Sequence, residues 1–522
     1  MILWGKCPYC NSSGAPGEKK VGGSGYEVQE SESRGVFRSS HSPFPFSHHT
    51  FRFPVREEKI DIVQRSLTSV PSGYTHFLLS LFTHTSTTTM GSIVQAPALT
   101  TQAMPFKVLV VGGSYGGLSA ALNLQDLCSG LAPRCGPKPV EGAPVIETPQ
   151  FNVDITIVDE RDGFYHLIGS PLALADEDYA AKSWVRYEDV PAVSQSQNIR
   201  VIHGSVKSVD QTSKTATYLP HGLVSSPENT STLSYDFLVA AAGLRRVWPV
   251  VPQSLRRKQF LFEAGDHIRA ATTARHGVVV VGGGAVGIEM AAELKLVQPQ
   301  LKVTLVHSRD KLLSSEPLPD EVKDKSLELL LEAGVGVRMS TRLDKTEEVV
   351  DEQGKKAVRV WFTDGESILA DQVSLAVSRS VPSTEFLGLK ETGVLDEEGY
   401  VKIQSSLAFP AETPNWSDHF AIGDLVKWSG IKRCGGAMHM GFFAGNNIHQ
   451  RMIEIASGKE PVFLKLDEIP PMIGLAVGKK AVSYWPATGV SAGEDVSQAF
   501  FGDDLGFTIC WNHLGLGNSQ KL

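Results

Sequence analysis

The chain has 522 residues, with 49 Lys+Arg against 57 Asp+Glu, a formal net charge of −8 and a mean hydropathy of −0.07. The length leaves room for about three or four domains of ordinary size, and the acidic balance argues against a nucleic-acid protein, which normally carries a basic excess to meet phosphate. Six Cys exclude a disulfide scaffold, and no uninterrupted apolar run approaches the roughly 18 residues of a membrane span.

Residues 1–103 are rich in Ser, Thr, Gly and Pro and lack apolar periodicity, apart from the short patch Phe77–Phe82. Such a segment buries too little apolar area to offset its ordering entropy. It is expected to be a disordered tail or an artefact of the gene model, with translation then starting at Met90 or Met104. No basic stretch precedes an apolar core, as a secretory signal requires, and Glu18, Glu27, Glu30, Glu32, Glu57 and Glu58 speak against a transit peptide. Cys7-Pro8-Tyr9-Cys10 has the form of a redox C-x-x-C, but no βαβ unit surrounds it and no second ligand pair stands near it for zinc, so no metal site is expected. A start at Met90 would expose Gly91, yet Gln95 stands where a myristoylation signal has Ser or Thr.

From Met104 the texture changes. The β-branched run Lys107–Val111 leads through glycines into a stretch with apolar residues at helical spacing, which predicts strand–turn–helix. A polar, Pro-rich insertion follows, and then a second strand, Val153–Glu160. About 170 residues later the same grammar returns at Gly277–Leu296, followed by Leu301–Leu313. Two such units predict two dinucleotide-type α/β folds in one chain.

The first glycine turn is Gly112-Gly113-Ser114-Tyr115-Gly116-Gly117. Set against G-x-G-x-x-G, it places Ser114 at the middle glycine. The first glycine permits the tight turn, the middle one lets backbone approach a pyrophosphate, and the last lets helix and strand pack closely. The helix start then offers free N–H groups and the positive end of a dipole. Asp159 ends the second strand, where a ribose hydroxyl is met. It lies 159 − 112 = 47 residues after Gly112, rather than the usual 20 or so, and the insertion accounts for most of the excess. The second turn, Gly282-Gly283-Gly284-Ala285-Val286-Gly287, matches fully. Its second strand ends Val306-His307-Ser308-Arg309, with no carboxylate for a ribose. Ser308 and Arg309 suit a 2′-phosphate instead, so NADH and NADPH both stay open.

Three further segments are informative. Tyr235–Arg246 resembles the Y-D-x-L-V-x-A-T-G strand that closes a flavin domain, with Ala242 in place of Thr, followed by Gly243. His419–Trp428 resembles the second flavin motif, whose Asp, here Asp424, contacts the ribityl chain. Ser378–Leu387 is similar to the segment that returns the chain to the flavin domain. Together with the two glycine turns, these identify residues 104–522 as resembling the two-dinucleotide-binding flavoproteins of the pyridine nucleotide–disulfide oxidoreductase superfamily. Within it, the chain is most similar to the apoptosis-inducing-factor-like group, with its ferroptosis-suppressor-like members, relatives of type II NADH dehydrogenases.

The resemblance implies an α/β fold with two Rossmann-like domains of the glutathione reductase type and a C-terminal α+β segment. The division expected is a first part of the FAD domain at 104–246, an NAD(P)H domain at 247–384, a second part of the FAD domain at 385–460, and a C-terminal segment at 461–522. It also implies FAD on the first turn and NADH or NADPH on the second, with a hydride passed to flavin and electrons passed on to a small, quinone-like acceptor. Glu289, two residues past the last glycine of the second turn, is the expected nicotinamide-positioning or proton-handling residue, and its alternative is a solvent-facing helix carboxylate.

Disulfide reductases relay electrons through a C-x4-C on the helix after the first turn. Cys128 and Cys135 do not fit that place, so direct transfer from flavin to acceptor is expected. Cys434, beside an expected helix start, reads as a small buried hydrophobe rather than a redox thiol. His439 reads as a packed histidine, Lys479 and Lys480 as exposed. Phe164, Tyr165 and His166 are divided between packing and the acceptor pocket.

A signalling or binding protein of the apoptosis-inducing-factor kind is the competing reading. A flavin monooxygenase would need a linker motif that is absent. The resemblance leaves a monomer or homodimer open and makes a nucleic-acid partner unexpected. It points to the cytoplasm, or alternatively to mitochondria or a membrane surface. The final residues form no long basic amphipathic helix to support membrane-surface attachment.

Overall fold

The computed structural model describes residues 104–136, 148–377, 380–388 and 393–517. The expected tail, the C-x-x-C at Cys7 and the candidate starts before Met104 lie outside these residues.

Phe106–Val111 (β1) is buried at every residue except Lys107, the near-continuous apolar run of a strand covered on both faces. It leads into helix Tyr115–Cys128 (α1). Strands Val153–Asp159 (β2), Ile199–Asp210 (β3), Thr215–Pro220 (β4), Ser231–Ser234 (β5) and Phe237–Ala240 (β6) follow. Helix Arg257–Thr272 (α2) then leads to a second unit. That unit contains Val278–Val281 (β7), helix Ala285–Val297 (α3), Val303–Val306 (β8), helix Asp320–Glu332 (α4) and Gly336–Arg338 (β9). An antiparallel three-stranded ribbon within 343–370 precedes Gln372–Leu375 (β10). The chain continues through His419–Ala421 (β11), the long helix Cys434–Ser457 (α5), strands Ile473–Val477 (β12), Lys480–Trp485 (β13) and Gly489–Gly493 (β14), and helices Glu494–Phe500 (α6) and Phe507–His513 (α7).

The seven-stranded sheet has the order β11-β6-β1-β2-β3-β4-β5. It is parallel from β11 to β3 and turns antiparallel at β4 and β5. The four-stranded sheet, β9-β8-β7-β10, is parallel throughout. The chain is therefore α/β with two parallel-rich, doubly wound units. The first sheet is completed only by β11, after the second unit has been made.

α1 and α5 pack face to face through small residues. A Cβ on Gly441 would lie 2.4 Å from the Gly116 carbonyl oxygen, and one on Gly445 would lie 3.0 Å from that of Ala120. Ser119 Oγ adds a 2.7 Å hydrogen bond to the Met438 carbonyl across this contact. The close approach sets the start of α5 beside the first glycine turn. At the start of the insertion, Arg134 pairs with Asp126 of α1 at 2.6 Å, both side chains buried.

The antiparallel sheet β12-β13-β14 rests on α3, with Leu475, Val477 and Val482 in one apolar cluster with Met290 and Leu294. α7 instead joins the core of the first unit through Phe507 and Cys510. Among the described residues no helix is long and apolar enough to cross a membrane.

Candidate functional site

Both glycine turns are built alike. Gly112 (φ +101°) and Gly282 (φ +122°) lie in backbone that L side chains rarely adopt. A Cβ on Gly117 would lie 1.8 Å from the Gly112 carbonyl oxygen, and one on Gly287 1.8 Å from that of Gly282, far inside any real contact. These spacings bring each helix start down onto the end of its strand. α1 starts after Ser114 and α3 after Gly284, and neither has a side-chain cap. Their first N–H groups keep no helical partner, and each start carries the positive end of a macrodipole. A Cβ on Gly284 or on Gly243 would meet nothing within 4 Å, so backbone is open to a bound group at both. The chemistry fits phosphates of two nucleotides.

In the first unit, Gly113 N–H donates to Asp159 Oδ2 at 2.5 Å, and Arg161 N–H to Oδ1 at 2.7 Å. Burial raises the Asp159 pKa, while those two donors pull it back. Tyr187 Oη donates to the Gly113 carbonyl at 2.8 Å. Tyr115 is buried, with its hydroxyl 3.1 Å from His166 Nδ1. Gly116 lies against the start of α5, its Cβ position 3.3 Å from the Ala437 carbonyl oxygen. Ala242 and Gly243 lie two and three residues past the end of β6. Asp424 is largely enclosed on the turn after β11, where burial raises its pKa and the positive charges of Arg246 and Lys432 oppose the rise.

In the second unit, the residue just after β8 does what Asp159 does in the first. His307 Nδ1 accepts from Gly283 N–H at 3.1 Å, and its Nε2 lies 2.9 Å from the Lys311 carbonyl. Both ring nitrogens are thus engaged by protein, and His307 is buried. It braces the glycine turn from beneath and leaves Ser308 and Arg309, both exposed, as the groups free to meet a ribose or its phosphate.

Glu289 and Glu293 stand one turn apart on α3, toward β12. Glu289 is half-buried, and its Oε1 accepts from Ala476 N–H at 3.4 Å. Burial, reinforced by the Glu293 charge, pushes its pKa up to about 8. Glu293 is 2% exposed, and its Oε1 has no hydrogen-bond partner among the described residues. Burial pushes its pKa up to about 8 against a bond from Gly478 N–H. The solvent-facing alternative for Glu289 does not match this geometry.

Sequence reasoning passed over Glu293, although its place four residues after Glu289 put both on one helix face. For a carboxyl raised in the fold, the stability contribution is complete below the unfolded value near 4.5 and is lost as pH rises through about 8. Glu293→Gln is therefore expected to stabilise the fold by roughly 4 kcal/mol at pH 8 and by under about 1 kcal/mol at pH 5. Chemical denaturation at the two pH values measures this, and an equal effect at both would refute the burial argument.

α5 also starts without a side-chain cap. A Cβ on Gly435 would meet nothing within 4 Å, so its first turn is also open. Asp424, Lys432, Arg433, Gly436 and Met440 line one cavity there. His439 packs on Phe443 with ring centres 4.3 Å apart, and burial pushes its pKa down to about 4. Phe164, Tyr165 and His166 are all buried. His166 bridges Tyr115 and the Leu505 carbonyl, the latter at 2.9 Å. Lys479 is exposed, and Lys480 pairs with Glu332 on α4 at 2.5 Å. Cys128 lies at the far end of α1, 3.8 Å from Met452 Sδ, and Cys135 lies 4.0 Å from Ser119 Oγ. No thiol pair stands on the first turns of α1.

Residues 106–441 match the family described as pyridine nucleotide-disulphide oxidoreductase. Oxidoreductase OXR1 of Ajellomyces capsulatus is 48% identical over 422 residues, 80% of this chain and 89% of that protein. Ferroptosis suppressor protein 1 of Mus musculus is 25% identical over 386 residues, 72% of this chain and 91% of that one. Among solved structures, the sulfide:quinone oxidoreductase of Aquifex aeolicus superposes with a TM-score of 0.55 at 16% identity, covering 80% of this chain and 93% of that one. This last likeness speaks to the fold alone.

Proposed function

The chain belongs to the pyridine nucleotide-disulphide oxidoreductase family, whose chemistry uses flavin and a pyridine nucleotide, and from that premise we propose that it is an FAD-dependent NAD(P)H oxidoreductase that delivers electrons to a small, quinone-like acceptor without a dithiol relay. The observation that carries this reading is the pair of like-built glycine turns, each opening an uncapped helix, with the raised carboxyl of Glu289 one turn past the second. The division at 104–246, 247–384, 385–460 and 461–522 is proposed on the same reading. When bound, FAD accepts a hydride from NAD(P)H and passes the electron pair onward.

The chain's own part is to hold and orient. We assign FAD to Gly112, Gly113, Ser114, Tyr115, Gly116 and Gly117, with Asp159, Ala242, Gly243 and Asp424. Asp159 is poised to exchange its bond to Gly113 N–H for a ribose hydroxyl. NAD(P)H is assigned to Gly282, Gly284 and Gly287, with Ser308 and Arg309 at the ribose and His307 fixing the turn. Reduction of a quinone to a quinol by NAD(P)H takes up one solvent proton besides the hydride. Glu289 is the group that holds such a proton, at Oε1 or Oε2, near neutral pH. Direct transfer is supported by the distance in sequence and fold between Cys128 or Cys135 and the start of α1.

The test is a visible spectrum of the purified full chain, followed on adding NADH or NADPH with and without a short-chain quinone. Bound flavin that bleaches with nucleotide and recovers rapidly with quinone is expected. Absence of flavin, or no bleaching with either nucleotide, overturns the reading, and bleaching without quinone-dependent recovery overturns the acceptor. Arg309→Ala is expected to raise KM for NADPH about tenfold more than KM for NADH, the size of one lost exposed charge contact to phosphate. Equal effects on the two would remove Arg309 from the 2′-phosphate position.

A further inference from the structure

Lys432 and Arg433 belong to no motif and have no part in the function proposed above, yet both line the cavity at the head of α5. Arg433 is the residue just before α5, in extended backbone. Among the described residues its guanidinium has no hydrogen bond and no ion pair. Lys432 Nζ donates to the Val426 carbonyl at 2.8 Å and stands 4.5 Å from the centre of the Tyr400 ring. The carboxylates of Asp396 and Glu398 are taken by Lys427, at 3.2 and 3.4 Å, and among the described residues none pairs with Lys432. Asp424 lines the same cavity and is in ion-pair contact with neither cation. Arg246, whose charge also bears on Asp424, is held by Ser380 Oγ at 3.1 Å. Two cations, one carboxylate and the open first turn of α5 thus meet at one cavity without pairing. Tyr400, Cys434 and His439 are the other titratable groups beside these cations.

A cavity so lined favours negative charge, through the two side chains and through the free N–H groups and dipole of α5. On the FAD assignment, the pyrophosphate belongs to the first glycine turn and Asp424 to the ribityl chain. The flavin ring, at the other end of that chain, is the part left to meet the head of α5. A hydride brings the ring two electrons and one proton, so the ring gains one negative charge unless a second proton follows from solvent. We propose that Lys432 and Arg433 stabilise this charge, so that the two-electron-reduced flavin is held as its anion and its reduction potential is raised. The inference rests on the FAD reading and adds to it the residues that set the potential. Both charges stand in place before the hydride arrives, so stabilising the product requires no reorganisation. Neither side chain takes or gives a proton: NAD(P)H loses the hydride, the flavin gains it, and the two cations only oppose the charge that appears.

The experiment is an anaerobic redox titration of the flavin in the full-length protein against a reference dye, at pH 6, 7 and 8. With the anion as product, one proton accompanies two electrons. The equilibrium constant for reduction of the wild-type flavin is therefore expected to fall tenfold per pH unit, about 30 mV. Arg433→Gln and Lys432→Gln are each expected to lower that constant at least tenfold at pH 7, again about 30 mV, and Arg433→Lys, which keeps the charge, to recover most of the loss. In the variant carrying both Gln substitutions the second proton is expected to follow below pH 7, giving a hundredfold fall per pH unit there, about 60 mV. A purely structural role would change neither the proton count nor respond to Lys in place of Arg. A wild-type constant that falls a hundredfold per pH unit throughout means a neutral product and overturns the proposal without any variant. So do Gln variants whose potential equals that of the wild type. Both results leave the FAD reading standing, whereas a full-length chain that purifies without flavin and takes up none when supplied with it overturns the reading and the proposal together.

Discussion

Glu289→Gln is expected to lower kcat for quinone reduction by about 10²- to 10⁴-fold, the range for loss of a positioned proton donor, while the spectrum of bound flavin stays as it was. Gln keeps the shape of the side chain and its bond from Ala476 N–H, which is 3.4 Å long with Glu, but it holds no transferable proton. The pH dependence gives a second handle. With its pKa pushed up to about 8 by burial and the Glu293 charge, Glu289 is protonated at neutral pH and loses that proton as pH rises through about 8. The rate with the wild-type chain is therefore expected to be level below pH 7 and to fall above pH 8, and in Glu289→Gln this limb disappears. A variant with unchanged kcat and an unchanged pH profile would take Glu289 out of the reaction. A rise in KM for NAD(P)H with kcat preserved would make it a residue that positions the nucleotide and leave the proton to another group.

Gly117→Ala and Gly287→Ala form the second large effect, and their comparison assigns the two nucleotides. The added methyl would lie 1.8 Å from the carbonyl oxygen of Gly112 in one unit and of Gly282 in the other. No rotamer relieves a clash of Cβ with backbone, so the helix start must lift away from its strand. The cost is on the order of 3 kcal/mol, the upper part of the overpacking range, or about a hundredfold in nucleotide affinity. Gly287→Ala is expected to retain flavin and to need at least 100-fold more NAD(P)H for bleaching. Gly117→Ala is expected to be purified with flavin depleted or lost. Because the two turns share one geometry, a general loss of stability would affect both variants alike, whereas opposite losses identify which turn holds which group. Flavin lost from Gly287→Ala and kept in Gly117→Ala would reverse the assignment.

What could be read from the residues alone was local. A strand of β-branched residues, a glycine turn and a helix lie within about 20 consecutive positions, and their geometry follows from sterics that short stretches set for themselves. Hence both glycine turns and the Asp159 strand end were legible, while the role expected of Glu289 and the later flavin-type segments were readable by resemblance. The His307-Ser308-Arg309 segment was legible only in part. Its place at the end of β8 followed from pattern, but that His307 turns its ring inward to Gly283 N–H depends on where the glycine turn sits above it.

The tertiary structure decided what depends on partners distant in sequence. Glu293 became a buried carboxyl because β12 and β13, some 180 residues later, close over α3. The start of α5 lies at the first glycine turn because Gly441 and Gly445 let two helices approach to backbone contact. Backbone conformation is settled by neighbours along the chain, but desolvation and side-chain pairing are set by whatever the folded chain brings into contact.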